Sequence, residues 1–214
     1  MKKLVSVTMM VFMTVTIFGQ SAGLEQAISE SLKLLDEAKT VEEVQSVVNR
    51  LERIALTEPE RWEPAYYYAF AQINLSFMEQ NEEVKDKLLD KAEININKAL
   101  ELNGDKSELH ALQGFLYQAM LTAAPSLAMT YSQKAAEVFG QALYENPENP
   151  RAMYLLGLNI RYTPEGFGGG CVNALPKFMT AKALFEKESG KQGIMPCWGA
   201  RSNSEAIAGC DSEK

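Results

Sequence analysis

KAAEVFGQALYENP, residues 134–147, decides the fold. Ala135, Phe139 and Ala142 are spaced four and then three positions apart, which puts them on one face of a helix. Two small residues on that face let a neighbouring helix come close, and the ring fills the gap beside them. Asn146-Pro147 then stops the helix. The same triplet recurs in KAEININKALELNG (91–104) as Ala92, Ile96 and Ala99, and in NALPKFMTAKALFE (173–186) as Ala174, Phe178 and Ala181. Asn103-Gly104 supplies the stop in the earlier copy.

A second landmark precedes each triplet. AYYYAFAQINL (65–75), LHALQGFLYQAM (109–120) and MYLLGLNIRY (153–162) carry a small residue at Ala69, Gly114 and Gly157. These lie 45 and 43 residues apart, and Ala92 to Ala135 is again 43. Two independent landmarks with nearly one period mark a repeat architecture. The pattern resembles the tetratricopeptide repeat, through Leu156-Gly157, Gly114 with Tyr117, Ala135 to Ala142, and Pro147. The resemblance spans residues 24–188, in units 24–61, 62–106, 107–149 and 150–188. It implies an all-α fold: a right-handed superhelical stack of antiparallel helix pairs, about four units, closed by a C-terminal capping segment over 189–214. One departure is clear. The first-helix small residue and the second-helix alanine stand 23, 21 and 17 residues apart, where the family has about 12, so the helices are expected to be longer. Asn81 is the expected cap of one of them.

The surplus in the last unit includes TPEGFGGGCVNALP (163–176). It follows a helical stretch and reads Gly-x-Gly-Gly-Gly, without the spacing of a dinucleotide or P-loop fingerprint. It is read as a chain reversal between packed helices, with a backbone anion nest as the other possibility.

The N-terminus is a different kind of sequence. Lys2 and Lys3 precede a fifteen-residue apolar run, Leu4 to Phe18, and small residues follow. This is the layout of a cleaved secretory signal, assigned to residues 1–19, and the run falls short of the roughly 20 residues that span a bilayer. The protein is therefore expected in the periplasm or outside the cell, with no stable membrane anchor after cleavage. Losing Lys2 and Lys3 takes the formal charge from −7 to −9. An acidic domain without a basic cluster argues against nucleic-acid binding.

Chemistry is sparse. Cys171, Cys197 and Cys210 suit one disulfide in an exported protein, and all three pairings stay open. His110 is the only histidine, and no Cys-x-x-Cys occurs, so no metal site and no cofactor are expected. No nucleophile, metalloprotease or phosphate-binding motif is present, and the protein is read as non-enzymatic.

In stacks of this kind the first helices line a concave face where partners bind. Aligning the units exposes Glu63, Tyr66, Phe70 and Asn74, then Glu108, Ala111, Phe115 and Gln118, then Arg151, Tyr154, Leu158, Arg161 and Tyr162. The groove assigned from these is Tyr66, Phe70, Asn74, Phe115, Gln118, Tyr154, Arg161 and Tyr162. Its aromatic bias suits an extended peptide. The leading expectation is a binding or scaffolding module of the bacterial envelope that holds a protein or peptide. Two alternatives stand beside it: a carrier or sensor of a small or lipidic ligand enclosed by the helices and the C-terminal segment, and a thiol-redox module using Cys171.

Overall fold

The computed structural model describes residues 23–188 and 193–212, so the expected leader over 1–19 lies outside the described residues. Helix α1 covers 23–37 and is followed by α2 (Val41–Thr57), α3 (Trp62–Met78), α4 (Glu82–Glu101) and α5 (Lys106–Ala123). After them come α6 (Ala128–Glu145), α7 (Pro150–Tyr162), α8 (Cys171–Glu188) and α9 (Ala200–Ser212). No strand occurs among the described residues.

Local chemistry sets several of the helix starts. Thr40 and Glu43 form a reciprocal capping box at α2. Asn81, Asp105 and Asn149 accept from the N–H groups of Val84, Glu108 and Ala152, three residues on in each case. Pro150 sits at the first turn of α7, where its missing N–H costs nothing. At the far end of α4, Asn103 adopts φ +58 and Gly104 returns its N–H to the Ala99 carbonyl, closing the helix at the expected stop.

The helices pack as consecutive pairs: α3 on α4, α5 on α6, α7 on α8, with α9 laid against α8. Helices α3, α5 and α7 also touch one another in order, so the first helices form a row. This is the expected all-α stack of antiparallel helix pairs. The landmark residues are its joints. All three triplets are buried, from Ala92/Ile96/Ala99 to Ala174/Phe178/Ala181. A Cβ built on Gly114 would lie 2.1 Å from Phe139 Cε1, and one on Gly157 would lie 2.6 Å from Phe178 Cε1. In these two units the small residue of the first helix thus receives the ring of its own second helix, which is why the two landmarks share a period.

The glycine stretch is a chain reversal. A short 3-10 turn, Glu165–Phe167, leads into Gly168 and Gly170, which adopt φ of +82 and +85. The N–H groups of Gly168, Gly169 and Gly170 donate to the carbonyls of Glu165, Pro164 and Ile160 at 2.9, 3.2 and 3.1 Å. A nest needs those N–H groups to point at an anion, and here the turn itself uses them. Cys171 follows at the start of α8 and is bonded to Cys210 on α9, which fixes the pairing that the sequence left open. Cys197 is the cysteine left outside the disulfide.

Candidate functional site

The row of first helices does not present an empty groove. Residues 193–199 run back across it before α9 begins. Tyr67 Oη donates to the Ile194 carbonyl at 3.0 Å, and Pro196 is buried. Trp198 stacks on Phe70 at 4.5 Å between ring centroids with 22° between planes, and its ring lies 5.8 Å from that of Phe115. Such aromatic contacts add to the area they bury. The indole N–H of Trp198 donates to Tyr66 Oη at 3.0 Å. Gly199, at φ +105, leaves room for the Phe185 ring, which a Cβ would meet at 2.9 Å.

Beneath Trp198 runs a buried polar row. Tyr66 Oη donates to Glu108 at 3.5 Å. Arg151 makes two hydrogen bonds to Glu108, at 2.7 and 2.8 Å, and two more to Glu188, both at 2.8 Å. Asn149 adds a donor to Glu108 at 3.1 Å and another to Ser107, whose hydroxyl donates to the Ala142 carbonyl. Burial works against the charge on Arg151, but Glu188 and Glu108 outweigh it and hold the guanidinium protonated. Tyr66 is pushed well above the ordinary phenol range, first by burial and then by the Glu108 charge, so it stays a neutral donor.

Two clefts flank this closure. The larger, about 630 Å3, lies between α1, the floor made by Phe70, Phe115 and Trp198, and the start of α9. Leu32 and Leu35 of α1 line its side, and Asn74, Tyr154, Cys197 and Ser202 contribute polar atoms. Its charged residues are Lys33 and Asp36 of α1 with Arg201 and Glu205 of α9. Arg201 Nη1 approaches both Asp36 carboxylate oxygens, at 3.4 and 3.3 Å, and its Nε donates to Glu205 at 3.0 Å. The smaller cleft, about 390 Å3, lies over the glycine turn and is lined by Arg161, Tyr162, Val172, Leu175 and the Cys171–Cys210 bridge.

The eight residues assigned to the groove therefore divide. Phe70, Asn74, Phe115 and Tyr154 come together at the larger cleft. Arg161 and Tyr162 line the smaller one, with the guanidinium 5.6 Å from the Tyr162 ring centre. Tyr66 is fully buried under Trp198. Gln118 donates to the Leu155 carbonyl at 2.9 Å and ties α5 to α7. The tyrosine run at 66–68 is buried at all three positions, because α3 is enclosed on nearly every side. Sequence reasoning missed Leu32, Leu35, Lys33, Asp36 and Arg201. Trp198 fell only within the capping segment expected over 189–214, where the one signal was an indole outside the repeat. Half-buried His110 sits on α5 with its pKa lowered by burial, apart from both clefts. No cluster of metal-ligating side chains occurs among the described residues.

Fold and site define a class: an all-α stack of helix pairs whose own C-terminal segment fills the first-helix groove and leaves an aromatic-floored cleft beside it. In fold the chain is similar to a solved structure, the HusA haemophore from Porphyromonas gingivalis, at 29% identity and a TM-score of 0.77. The alignment covers 90% of this chain and 93% of that one. No family model and no curated protein matches the chain. A haemophore is by its name a haem carrier. This finding overturns the leading expectation of a protein- or peptide-binding scaffold and favours the small-ligand carrier. The physical reason lies in the same groove, which an extended peptide cannot enter while Ile194 to Gly199 occupy it.

Proposed function

We propose that this protein is a non-enzymatic carrier of a flat, apolar tetrapyrrole of the haem class, held in the larger cleft. The observation that carries the reading is the likeness to a haemophore along nearly the whole of both chains. The cleft supports it. Its volume, about 630 Å3, falls within the usual range for small-molecule sites. Phe70, Phe115 and Trp198 give it a floor of rings, and Leu32 and Leu35 give it an aliphatic wall. A planar macrocycle gains by stacking on such a floor and by removing apolar surface from water.

Of the residues lining the cleft, Tyr154 and Cys197 are of the types that ligate haem iron. Burial pushes the Tyr154 phenol up to about 12 and raises the Cys197 thiol as well. Either would have to give up its proton to bind iron, whereas stacking on the ring floor needs no such step. As cargo, the ligand would have to be passed on to a receiving protein. Export through the leader at 1–19 fits this role, and the Cys171–Cys210 disulfide fits an oxidising compartment.

The test uses Trp198 as its reporter. In a Trp62→Phe background it is the only indole. Titration with haemin is expected to quench its fluorescence with a one-to-one endpoint and to produce a shifted Soret band. Phe70→Ala, which removes the ring stacked on Trp198, should weaken binding at least tenfold. A haemin titration that leaves both signals at the level of free ligand and free protein would sink the carrier reading.

A further inference from the structure

The larger cleft is amphipathic in a directed way. Its floor is aromatic, and its charges gather at one seam. Lys33 and Asp36 are three residues apart on α1, hence on one helix face. Arg201 and Glu205 are four apart on α9. Arg201 bridges the two helices by reaching Asp36, 165 residues away in sequence. Asp36, Arg201 and Glu205 are therefore drawn together where α1 meets α9, at the edge of an apolar floor, and Lys33 lines the same cleft.

The bonding of that seam is incomplete. Arg201 donates from Nε to Glu205 and from Nη1 to Asp36, and among the described residues its Nη2 has no hydrogen bond. Its side chain is 70% exposed and that of Asp36 is 67% exposed. An ion pair this wet contributes little, and its partner is readily exchanged. Lys33 has Glu37 only at 4.0 Å, with both side chains well exposed. The seam thus offers two cations, one held by an exchangeable carboxylate and the other barely paired. A guanidinium fork matches a carboxylate in bidentate geometry, as it does a phosphate, and a carboxylate is the group that Arg201 already holds here.

Resting on the carrier reading, we infer that Arg201, assisted by Lys33, selects ligands bearing free carboxylates along one edge, and that Asp36 holds the place of the ligand carboxylate when the cleft is empty. The apolar face of the ligand lies on Phe70, Phe115 and Trp198. Its carboxylate edge takes Arg201 from Asp36, which turns out to solvent. Asp36 is then a competitor, and removing its charge strengthens binding. A merely structural bridge predicts the opposite sign.

Two forms of one macrocycle test this: haemin, with two free carboxylates, and its dimethyl ester, with none. Dissociation constants come from Trp198 quenching and the Soret band at low and at moderate salt. The wild-type protein is expected to prefer the acid about tenfold, with the preference shrinking as salt rises. Arg201→Gln should remove most of that preference and leave ester binding unchanged. Asp36→Asn should tighten the acid about threefold and leave the ester alone. Equal affinity of wild type for acid and ester overturns the inference. So does a loss in Arg201→Gln that is the same for both forms, or a weakening of acid binding in Asp36→Asn. Failure of both forms to bind is a separate result and overturns the carrier reading itself.

Discussion

Arg151 and Arg201 have opposite surroundings, the one buried beneath the closing segment and the other at the rim of the larger cleft. Each joins two distant helices through a carboxylate, Arg151 from α7 to Glu108 on α5 and Arg201 from α9 to Asp36 on α1. The Arg151 side chain is 2% exposed, meets two carboxylates in bidentate geometry and lies under the closing segment. Arg201 is largely in water, with one of its two anions beyond 3.2 Å. The same chemistry therefore does different work. In the dry interior the pair fixes which helices meet, because a partner removed leaves a charge without solvation. At the wet rim the pair holds nothing firmly, so a ligand can replace one member of it.

The largest expected effect lies at the interior end of that contrast. Arg151→Met leaves Glu108 and Glu188 facing each other without a cation. It should lower unfolding stability by about 3–5 kcal/mol, the usual loss when one member of a buried pair is deleted. Pairing it with Glu108→Gln removes one of the stranded charges and should restore part of that loss. Urea unfolding of the two variants reads this out. If Arg151→Met melts with the wild type, the buried row is ornamental and the contrast collapses.

The next effect concerns what holds α9 in place. The Cys171–Cys210 bridge spans a sequence separation of 39 residues, and chain entropy alone gives such a loop about 4 kcal/mol, with typical measured values of about 2–4. Replacing both cysteines by serine should cost an amount in that range. If α9 is carried by the disulfide alone, the variant should also lose the Trp198 environment. If Gly199, the Asn203 bond to the Phe178 carbonyl and the stack on Phe70 carry it, Trp198 emission stays as in the parent. The second outcome is expected, because those contacts lie at the near end of α9 and the bridge at its far end.

Much of the stack was legible in the sequence, and the reason is local. The triplets, the small first-helix residues and the stops at Asn103-Gly104 and Asn146 are set by spacings of three and four, and helices obey those spacings whatever surrounds them. The site was legible only in part. Phe70, Asn74, Phe115 and Tyr154 were found because they sit on the first-helix face. Their surroundings were not, because they arise from chain returning over 127 residues to Tyr67 and 132 to Tyr66. No periodicity records such a return. The same return turned Glu108 and Arg151, expected on an open concave face, into a buried pair. It also made the cleft from α1 and α9, the two elements with the weakest claim to a repeat pattern.

The smallest effect on stability is expected at Arg201, and the contrast depends on its being small. An exposed pair is worth about 0–1 kcal/mol, so Arg201→Gln should melt within that margin of the wild type. This distinguishes two ways in which the rim could matter. If the bridge to Asp36 were a strut that holds α1 against α9, losing it would loosen both helices and lower stability together with binding of any ligand. If the bridge is an exchangeable placeholder, stability stays and only the preference for a carboxylate changes. Thermal unfolding of Arg201→Gln beside Arg151→Met therefore measures the contrast directly. A gap of several kcal/mol between the two arginines supports it, and comparable losses would mean that burial does not separate their roles.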